Sequence, residues 1–310
     1  MWCRSLALAL VTLAGCGEPL DAFNASATEL QPEAHWTAQA FVASGAEIPT
    51  EQTSYVCHGF SIDTPQPSHL VAFEPRVDGA EVTPHHMVLY RLSAPPPSER
   101  WDCLDMPAGA IAYFGWAPGT EALALPDAAG FLMGDDGTQT HFALQIHYEN
   151  PAHRAGLVDD SGIVAWSTEQ IREYDAGILT LGTVAALEIP AGQAAFEHTN
   201  RCLTSTFPEP LEVFGAFVHG HALLRRIWTD QFREGERIGA LGRDDAFRFD
   251  LQRYRPLDGR IVPGDHLVTH CVYDSTERDA PTFGGEGADA EMCLNSLFYY
   301  PRTATQWCGS

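Results

Sequence analysis

Four groups of residues in this sequence have the types and the spacing of metal ligands. They contain, in chain order, His85, His86, His147, His219, His221 and Met292. Imidazole nitrogens and a thioether sulfur suit copper, whereas Mg²⁺ and Ca²⁺ prefer oxygen ligands. A thioether beside two imidazoles is a soft set that favours Cu(I). The sequence therefore predicts a three-histidine site in the first half of the chain and a site of two histidines and one methionine in the second half.

The spacing within each group limits which side chains can reach the same ion. His219 and His221 flank Gly220, so on a strand both imidazoles lie on one face, about 7 Å apart. This pair can therefore bind one metal ion through two nitrogens. His85 and His86 are adjacent, and they reach one ion only if the backbone twists or the strand ends there. Taken alone, such an adjacent pair is more often an accident of a surface or a core.

The groups that contain His147 and Met292 also have purely structural interpretations. In the segment 142–148, Gln145 and His147 share one strand face, opposite a face that is apolar. His147 alone would be a hydrogen-bonded core histidine, and Gln145 is equally a sheet-face glutamine or a catalytic residue that points into the site. Met292 alone would fill a core, but a disulfide at its neighbour Cys293 would fix the backbone beside it.

The elements that must position these residues are short strands. Apolar or alternating runs bounded by Gly, Pro and Asp recur throughout, and amphipathic helical stretches are scarce. This pattern predicts an all-β fold of two antiparallel, jelly-roll-like β sandwiches with a cleft between them. The connection at 150–161 indicates a boundary near residue 165, with domains at 36–165 and 166–310. The net charge of −23, with Arg as every one of the 18 basic residues, argues against nucleic acid as a partner.

The first residues predict export. Arg4 precedes a brief apolar run at 5–13 that ends in Leu-Ala-Gly-Cys at Cys16, which resembles a bacterial lipobox. We expect a signal peptide at 1–16, lipidation of Cys16, a tether at 17–35 and a location in the periplasm or cell envelope, with membrane contact through the lipid anchor only. An ordinary cleaved signal peptide is the alternative. Six cysteines then remain in an oxidising compartment, which predicts three disulfides.

The ordered set of motifs resembles the copper type II, ascorbate-dependent monooxygenases, which include dopamine β-monooxygenase and peptidylglycine α-hydroxylating monooxygenase. The matching segments are PHHMVLY, LQIHYENP, DSGI with REYDAGILTLG, HGH, and GDHLVTHCVYDSTER with AEMCLNSLFYYP. Their order and spacing agree over about residues 55–308. Single HH or HxH pairs are weak signals, whereas the ordered set is specific.

The resemblance implies two coppers per chain, with distinct roles. The all-histidine copper would transfer electrons, and the copper on His219, His221 and Met292 would be the place where O2 reacts with a small-molecule substrate, with ascorbate or another one-electron donor as reductant. The resemblance also implies three disulfide pairs. These are Cys271–Cys293, Cys202–Cys308 and, as the remaining pair, Cys57–Cys103.

The sequence departs from the family at two positions near the second copper. Peptide-hydroxylating members have an Arg where this chain has Phe217 and a Tyr where it has Ser296, and dopamine-type members share that Tyr. Without that Arg, the site lacks a charged group that could bind a carboxylate, which indicates a different and less anionic substrate. These departures keep a second hypothesis open, a non-catalytic copper-binding lipoprotein for scavenging or delivery. A zinc hydrolase that uses the three-histidine site alone is a third.

The other histidines are expected to be solvated or hydrogen-bonded. They are His35, His58, His69, His141, His153, His198, His266 and His270. Two of them, His266 and His270, lie four residues apart on one strand face and are a further candidate metal pair.

Overall fold

The computed structural model describes residues 30–78, 84–104, 109–135, 137–285, 287 and 289–309. The expected signal peptide, Cys16 and most of the expected tether lie outside the described residues. Within the described ranges, no helix is long and apolar enough to cross a membrane. The alternating and apolar runs do form strands, which confirms the predicted all-β class.

The first half of the chain contains two main sheets. Its strands are β1 (Thr37–Val42), β2 (Ala46–Glu47), β3 (Thr53–Asp63), β4 (Ser68–Arg76), β5 (Pro84–Leu92), β6 (Arg100–Asp102), β7 (Ile111–Trp116), β8 (Leu123–Ala124), β9 (Ala129–Met133), β10 (Gln139–Glu149), β11 (Val158–Asp159), β12 (Gly162–Thr168) and β13 (Tyr174–Asp175). One sheet has the order β1-β12-β4-β9-β13, with β8 on β4, and the other has the order β6-β3-β10-β5-β7.

The second half repeats this arrangement of two sheets. Its elements are β14 (Gly177–Thr183), β15 (Glu188–Ile189), β16 (Phe196–Leu203), a 3₁₀ turn (Thr204–Thr206), β17 (Leu211–His219), β18 (Leu224–Arg233), β19 (Glu236–Asp244), β20 (Tyr254–Ile261), β21 (His266–Tyr273), β22 (Thr282–Phe283), β23 (Cys293–Tyr300) and β24 (Trp307–Cys308). The sheets have the orders β20-β17-β23-β14-β24 and β16-β21-β18-β19. Pairing is antiparallel except for the short pairs β9–β13 and β14–β24.

The division between the two halves lies later than the sequence predicts. The expected boundary at residue 165 falls inside β12, which pairs with both β1 and β4 in the first half. The next strand, β13, pairs with β9, and β14 is the first strand of the second half. The turn-rich connection at 150–161 is therefore a loop that returns the chain to its own sandwich, and the division falls between Asp175 and Gly177.

The central strand β10 shows how the core and the site share one sheet. Its residues Phe142, Leu144 and Ile146 are fully buried in the core of the first sandwich. The opposite face carries Gln145 and His147, as the alternation predicts. β10 pairs with β3 on one side and with β5 on the other, so three strands present this second face together.

The described part of the chain contains three disulfides, which are the two pairs taken from the family resemblance and the pair that then remained. They are Cys57–Cys103, Cys202–Cys308 and Cys271–Cys293. The second bond joins residues 106 apart in sequence and ties the C-terminal strand β24 to β16. The third joins β21 to the first residue of β23, directly after Met292.

Loss of the Cys202–Cys308 bond should destabilise the second sandwich. A bond that closes so long a loop restricts the unfolded chain strongly, so the double substitution Cys202→Ser/Cys308→Ser should lower the free energy of unfolding by about 2–5 kcal/mol. Urea unfolding followed by circular dichroism measures this. The matched control is Cys57→Ser/Cys103→Ser, which should act on the first sandwich. A change below about 1 kcal/mol for the first variant would contradict the prediction.

Candidate metal centre and adjoining cavity

The three histidines of the first half converge on one point. The Nδ1 atom of His86 lies 3.4 Å from Nδ1 of His85 and 3.4 Å from Nδ1 of His147. Three nitrogens, each about 2.0 Å from one ion, have about this separation in tetrahedral geometry. Among the described residues, these are the one group of three or more His, Cys, Asp or Glu side chains whose ligand atoms all lie within 4.8 Å of one another.

A strand irregularity brings the adjacent pair His85 and His86 to the same side. His86 pairs directly with His147, but the next residue of β10, Tyr148, pairs with Pro84. His85 is thus an extra residue at the start of β5, as in a β-bulge, which re-aims its side chain. This is the twist at a strand end that an adjacent histidine pair needs to reach one ion.

The orientation of His147 is set from the neighbouring strand. Its Nε2 lies 2.8 Å from the Thr53 hydroxyl, and Tyr55 stacks on its ring at a centroid distance of 4.3 Å. With Nε2–H donated to Thr53, the lone pair of Nδ1 faces the other two histidines. Burial, followed by the charges of the nearby histidines, lowers the pKa of His147 to about 3. The ring is therefore neutral, which is the form that binds metals.

In His219 and His221 the lone pair is on Nε2, whereas His147 has it on Nδ1. Nδ1 of His219 donates to the Gln252 amide oxygen at 2.7 Å, and Nδ1 of His221 donates to the Ala290 carbonyl at 2.9 Å. Both acceptors lack a proton to give, so each ring keeps its lone pair on Nε2. Their centroids lie 5.3 Å apart. β17 ends at His219, however, so His221 lies in the following turn and not on the strand as the sequence analysis expected.

A buried carboxylate holds this turn against Met292. Glu291 is fully buried and accepts hydrogen bonds from the backbone N–H groups of His221, Leu223 and Met292. Burial raises its pKa to about 7, and the three backbone donors oppose that shift. At Gly220 a Cβ would lie 2.9 Å from the Met292 carbonyl oxygen, so only glycine lets the backbones approach this closely. Glu291 is thus a positioning residue, which sequence reasoning did not single out although it adjoins Met292.

The two histidine sets meet at the interface of the two sandwiches. The rings of His86 and His219 lie 5.9 Å apart between centroids. Phe249 of the second half lies 4.5 Å from the His85 ring and 5.7 Å from the His221 ring. Nothing in the spacing of Phe249 or of Gln252 along the chain signals these contacts, since both residues lie in the loop between β19 and β20.

A cavity of about 390 Å³ adjoins the histidines and is lined by both halves. His86, His219, His221, Met292 and Gln145 all contribute to its walls. Gln145 also donates its amide Nε2 to the Cys103 carbonyl at 2.8 Å, so it has the structural hydrogen bond of a sheet-face glutamine while it faces the cavity. Its catalytic role stays a prediction.

The further candidate pair, His266 and His270, belongs to no group of three or more metal-ligating side chains in the described part of the chain. Residues four apart on a strand are separated by about 13 Å. His270 instead lies 2.7 Å from Glu197 through Nδ1 and stacks on Trp228. Of the histidines expected to be solvated or hydrogen-bonded, His58 is an exception, because its buried Nε2 has no hydrogen-bond partner.

This combination defines a class: a metalloprotein of two β sandwiches that bring an all-imidazole site and an imidazole–thioether set to one cavity. A family model described as the N-terminal domain of copper type II ascorbate-dependent monooxygenases matches residues 40–155, and the model of the C-terminal domain matches residues 174–310. The chain belongs to the copper type II ascorbate-dependent monooxygenase family.

Curated relatives agree with this assignment. The chain is 33% identical over 292 residues to human DBH-like monooxygenase protein 1, covering 85% of this chain and 47% of the relative. It is 33% identical over 282 residues to tyramine beta-hydroxylase of Caenorhabditis briggsae, with 85% and 48% covered. It is 31% identical over 289 residues to dopamine beta-hydroxylase of Equus caballus, with 85% and 46% covered. The chain thus spans about half the length of the curated relatives it matches.

The hydrogen bonds that orient His219 and His147 should each affect the binding of a different copper ion. Gln252→Leu removes the acceptor for His219 Nδ1–H, and Thr53→Val removes the partner of His147 Nε2. Loss of such a partner typically weakens metal binding by about 10- to 100-fold. In a Cu(I) titration against a chelating competitor, each variant should weaken one binding step and leave the other unchanged. If both variants weaken the same step, the division into two sites is wrong.

Proposed function

We propose that this protein is a copper-dependent monooxygenase that hydroxylates a C–H bond of a small organic substrate. The balanced reaction takes the substrate R–H, O2, two electrons from ascorbate or another one-electron donor and two protons, and yields R–OH and water. The observation that carries the proposal is the meeting of the two ligand sets at one cavity. Membership of an ascorbate-dependent copper family supports it.

The donor sets fit two copper ions. His85, His86 and His147 would hold one ion through Nδ1, and His219 and His221 would hold the other through Nε2, together with Met292. Bound copper would supply the one-electron chemistry that O2 activation requires, and the soft thioether would favour its Cu(I) state.

The chain itself supplies neutral imidazoles, fixed orientation and a mainly apolar cavity surface. Burial, followed by the charges of neighbouring histidines, holds the pKa of His86 well below its ordinary value, and burial lowers that of His219 to about 3. No proton must therefore leave these rings before a metal binds. Hydrogen bonds fix both backbone groups of Met292. Its N–H donates to Glu291, and its carbonyl accepts from the Tyr273 hydroxyl at 2.8 Å. The accessible surface of the cavity is mostly apolar.

Removal of a ligand at the second site should abolish turnover. Met292→Ile replaces the thioether with a branched apolar side chain, and His219→Ala removes one imidazole. We expect the wild-type chain to bind two coppers and to consume O2 in an ascorbate-dependent manner when a substrate is present, and both variants to lose that consumption by at least about 100-fold. Metal analysis and an oxygen electrode measure this, and the control is His266→Ala on the exposed surface.

The same measurements separate the alternatives. Tight binding of two coppers without turnover of any amine, peptide or phenylalkyl compound would favour a copper-binding protein for scavenging or delivery. Zinc that stays bound when excess copper is added would contradict both copper functions and favour a hydrolase.

We also propose that the protein is an exported bacterial lipoprotein of the periplasm or cell envelope, anchored through Cys16. The lipobox-like sequence supports this proposal. Cells grown with radiolabelled palmitate should label the wild-type protein, whereas Cys16→Ser should abolish the label and release the protein from the membrane fraction. Equal labelling of both forms would contradict lipidation at Cys16.

A further inference from the structure

One wall of the cavity is a face of the sheet that carries His219. Four of its residues form a row across neighbouring strands, since Ser296 pairs with Phe217 on one side and with Thr180 on the other, and Thr180 pairs with Trp307. All four line the cavity. Phe217 precedes His219 by two residues on β17, so the row begins about 7 Å from that histidine.

The opposite wall comes from the first sandwich and is mainly apolar. Its members include Val88 of β5 and Ile111, Ala112 and Trp116 of β7. Together with Phe217 and its neighbours Leu294 and Phe298, these side chains form the apolar part of the lining, while Tyr90, Gln145, Gln252 and Gln306 add uncharged polar groups elsewhere on the walls. A volume of about 390 Å³ is at the lower end of the range for small-molecule sites.

No charged side chain balances a charged ligand in this cavity. Among the described residues that line it, none is Asp, Glu, Lys or Arg. Against the side chains alone, an ion moved from water into such a site would lose its hydration and gain little in return. A carboxylate or an ammonium group is therefore disfavoured, even though the chain as a whole is strongly acidic.

The row does contain one polar anchor. The hydroxyl oxygens of Thr180 and Ser296 lie 3.0 Å apart, so one hydroxyl donates to the other. In such a pair one O–H proton and several lone pairs remain for a ligand. The pair can therefore donate to, or accept from, a neutral hydroxyl or carbonyl group.

Building on the monooxygenase function proposed above, we propose that the cavity takes an uncharged, mainly apolar substrate with one hydroxyl or carbonyl group, which Thr180 and Ser296 bind. The apolar body of the substrate would lie between Phe217 and the wall of β7, with a C–H group near the second ligand set.

Three compounds with the same ring test the charge requirement. They are 2-phenylethanol, which is neutral, phenethylamine, which is a cation, and 3-phenylpropanoate, which is an anion. Calorimetric titration of the full-length protein, with and without copper, should show the neutral compound binding more than about tenfold more tightly than either ion. Ascorbate-driven O2 consumption, with detection of the benzylic alcohol, then measures turnover of each compound.

Substitutions in the row test the anchor. Thr180→Val and Ser296→Ala should each weaken binding of 2-phenylethanol by about five- to tenfold, as expected for a neutral hydrogen bond. Ser296→Asp should shift the preference to phenethylamine, and Phe217→Arg should shift it to 3-phenylpropanoate. Ser167→Ala, at a half-buried position of β12 that does not line the cavity, serves as the control and should bind like the wild type.

The outcomes separate this inference from the function on which it rests. If the neutral compound binds no more tightly than the two ions, including the case in which none binds, the inference about the substrate is wrong. Turnover of an ion in preference to the neutral compound would also overturn it while leaving the monooxygenase function intact. Preferential binding of the neutral compound without turnover would support the ligand class and count against the enzyme.

Discussion

Five imidazole rings share the interface between two β sandwiches, and their pKa values are all lowered by burial. The rings are therefore neutral, and a neutral imidazole has one N–H to donate and one lone pair. A buried N–H without an acceptor is costly, so the partners of these groups decide where the lone pairs point. Thr53, Gln252 and the Ala290 carbonyl supply partners for three rings. The geometry for a metal thus follows from the ordinary requirement that buried polar groups be satisfied.

The two candidate ligand sets are built by different means. In the first set, His86 and His147 are direct partners on the adjacent strands β5 and β10, so sheet register alone brings them together. In the second set, one ligand ends a strand, one lies in a turn and one precedes the next strand. Such irregular backbone leaves N–H groups that no neighbouring strand satisfies, and the buried Glu291 carboxylate accepts three of them. The second set therefore depends on one side chain in a way that the first set does not.

The sequence allowed the fold class to be predicted and singled out the histidines and the methionine that the structure brings to one cavity, because strand alternation and the ordered motifs are local signals. It did not allow the domain division to be placed, since β12 resembles the start of a new unit and only its pairing with β1 and β4 assigns it to the first sandwich. The sequence also did not indicate which ring nitrogen, Nδ1 or Nε2, has the lone pair in each set of histidines. That choice depends on partners such as Gln252, which binds His219 although the two residues are 33 positions apart in the chain. Contacts of this kind arise only when the strands have assembled.

Strand alternation also explains why the cavity and the ligands occupy the same place. Gln145 lies two residues before His147 on β10, and Phe217 lies two residues before His219 on β17. Residues two apart on a strand share a face, so each ligand-bearing strand also presents a cavity-lining residue. A register slip of one residue would turn both away from the interface. Substitution at the lining positions, in contrast, alters the chemistry of the cavity while the ligands stay in place. A sheet of this kind can therefore change the chemistry of its cavity without moving the histidines beside it.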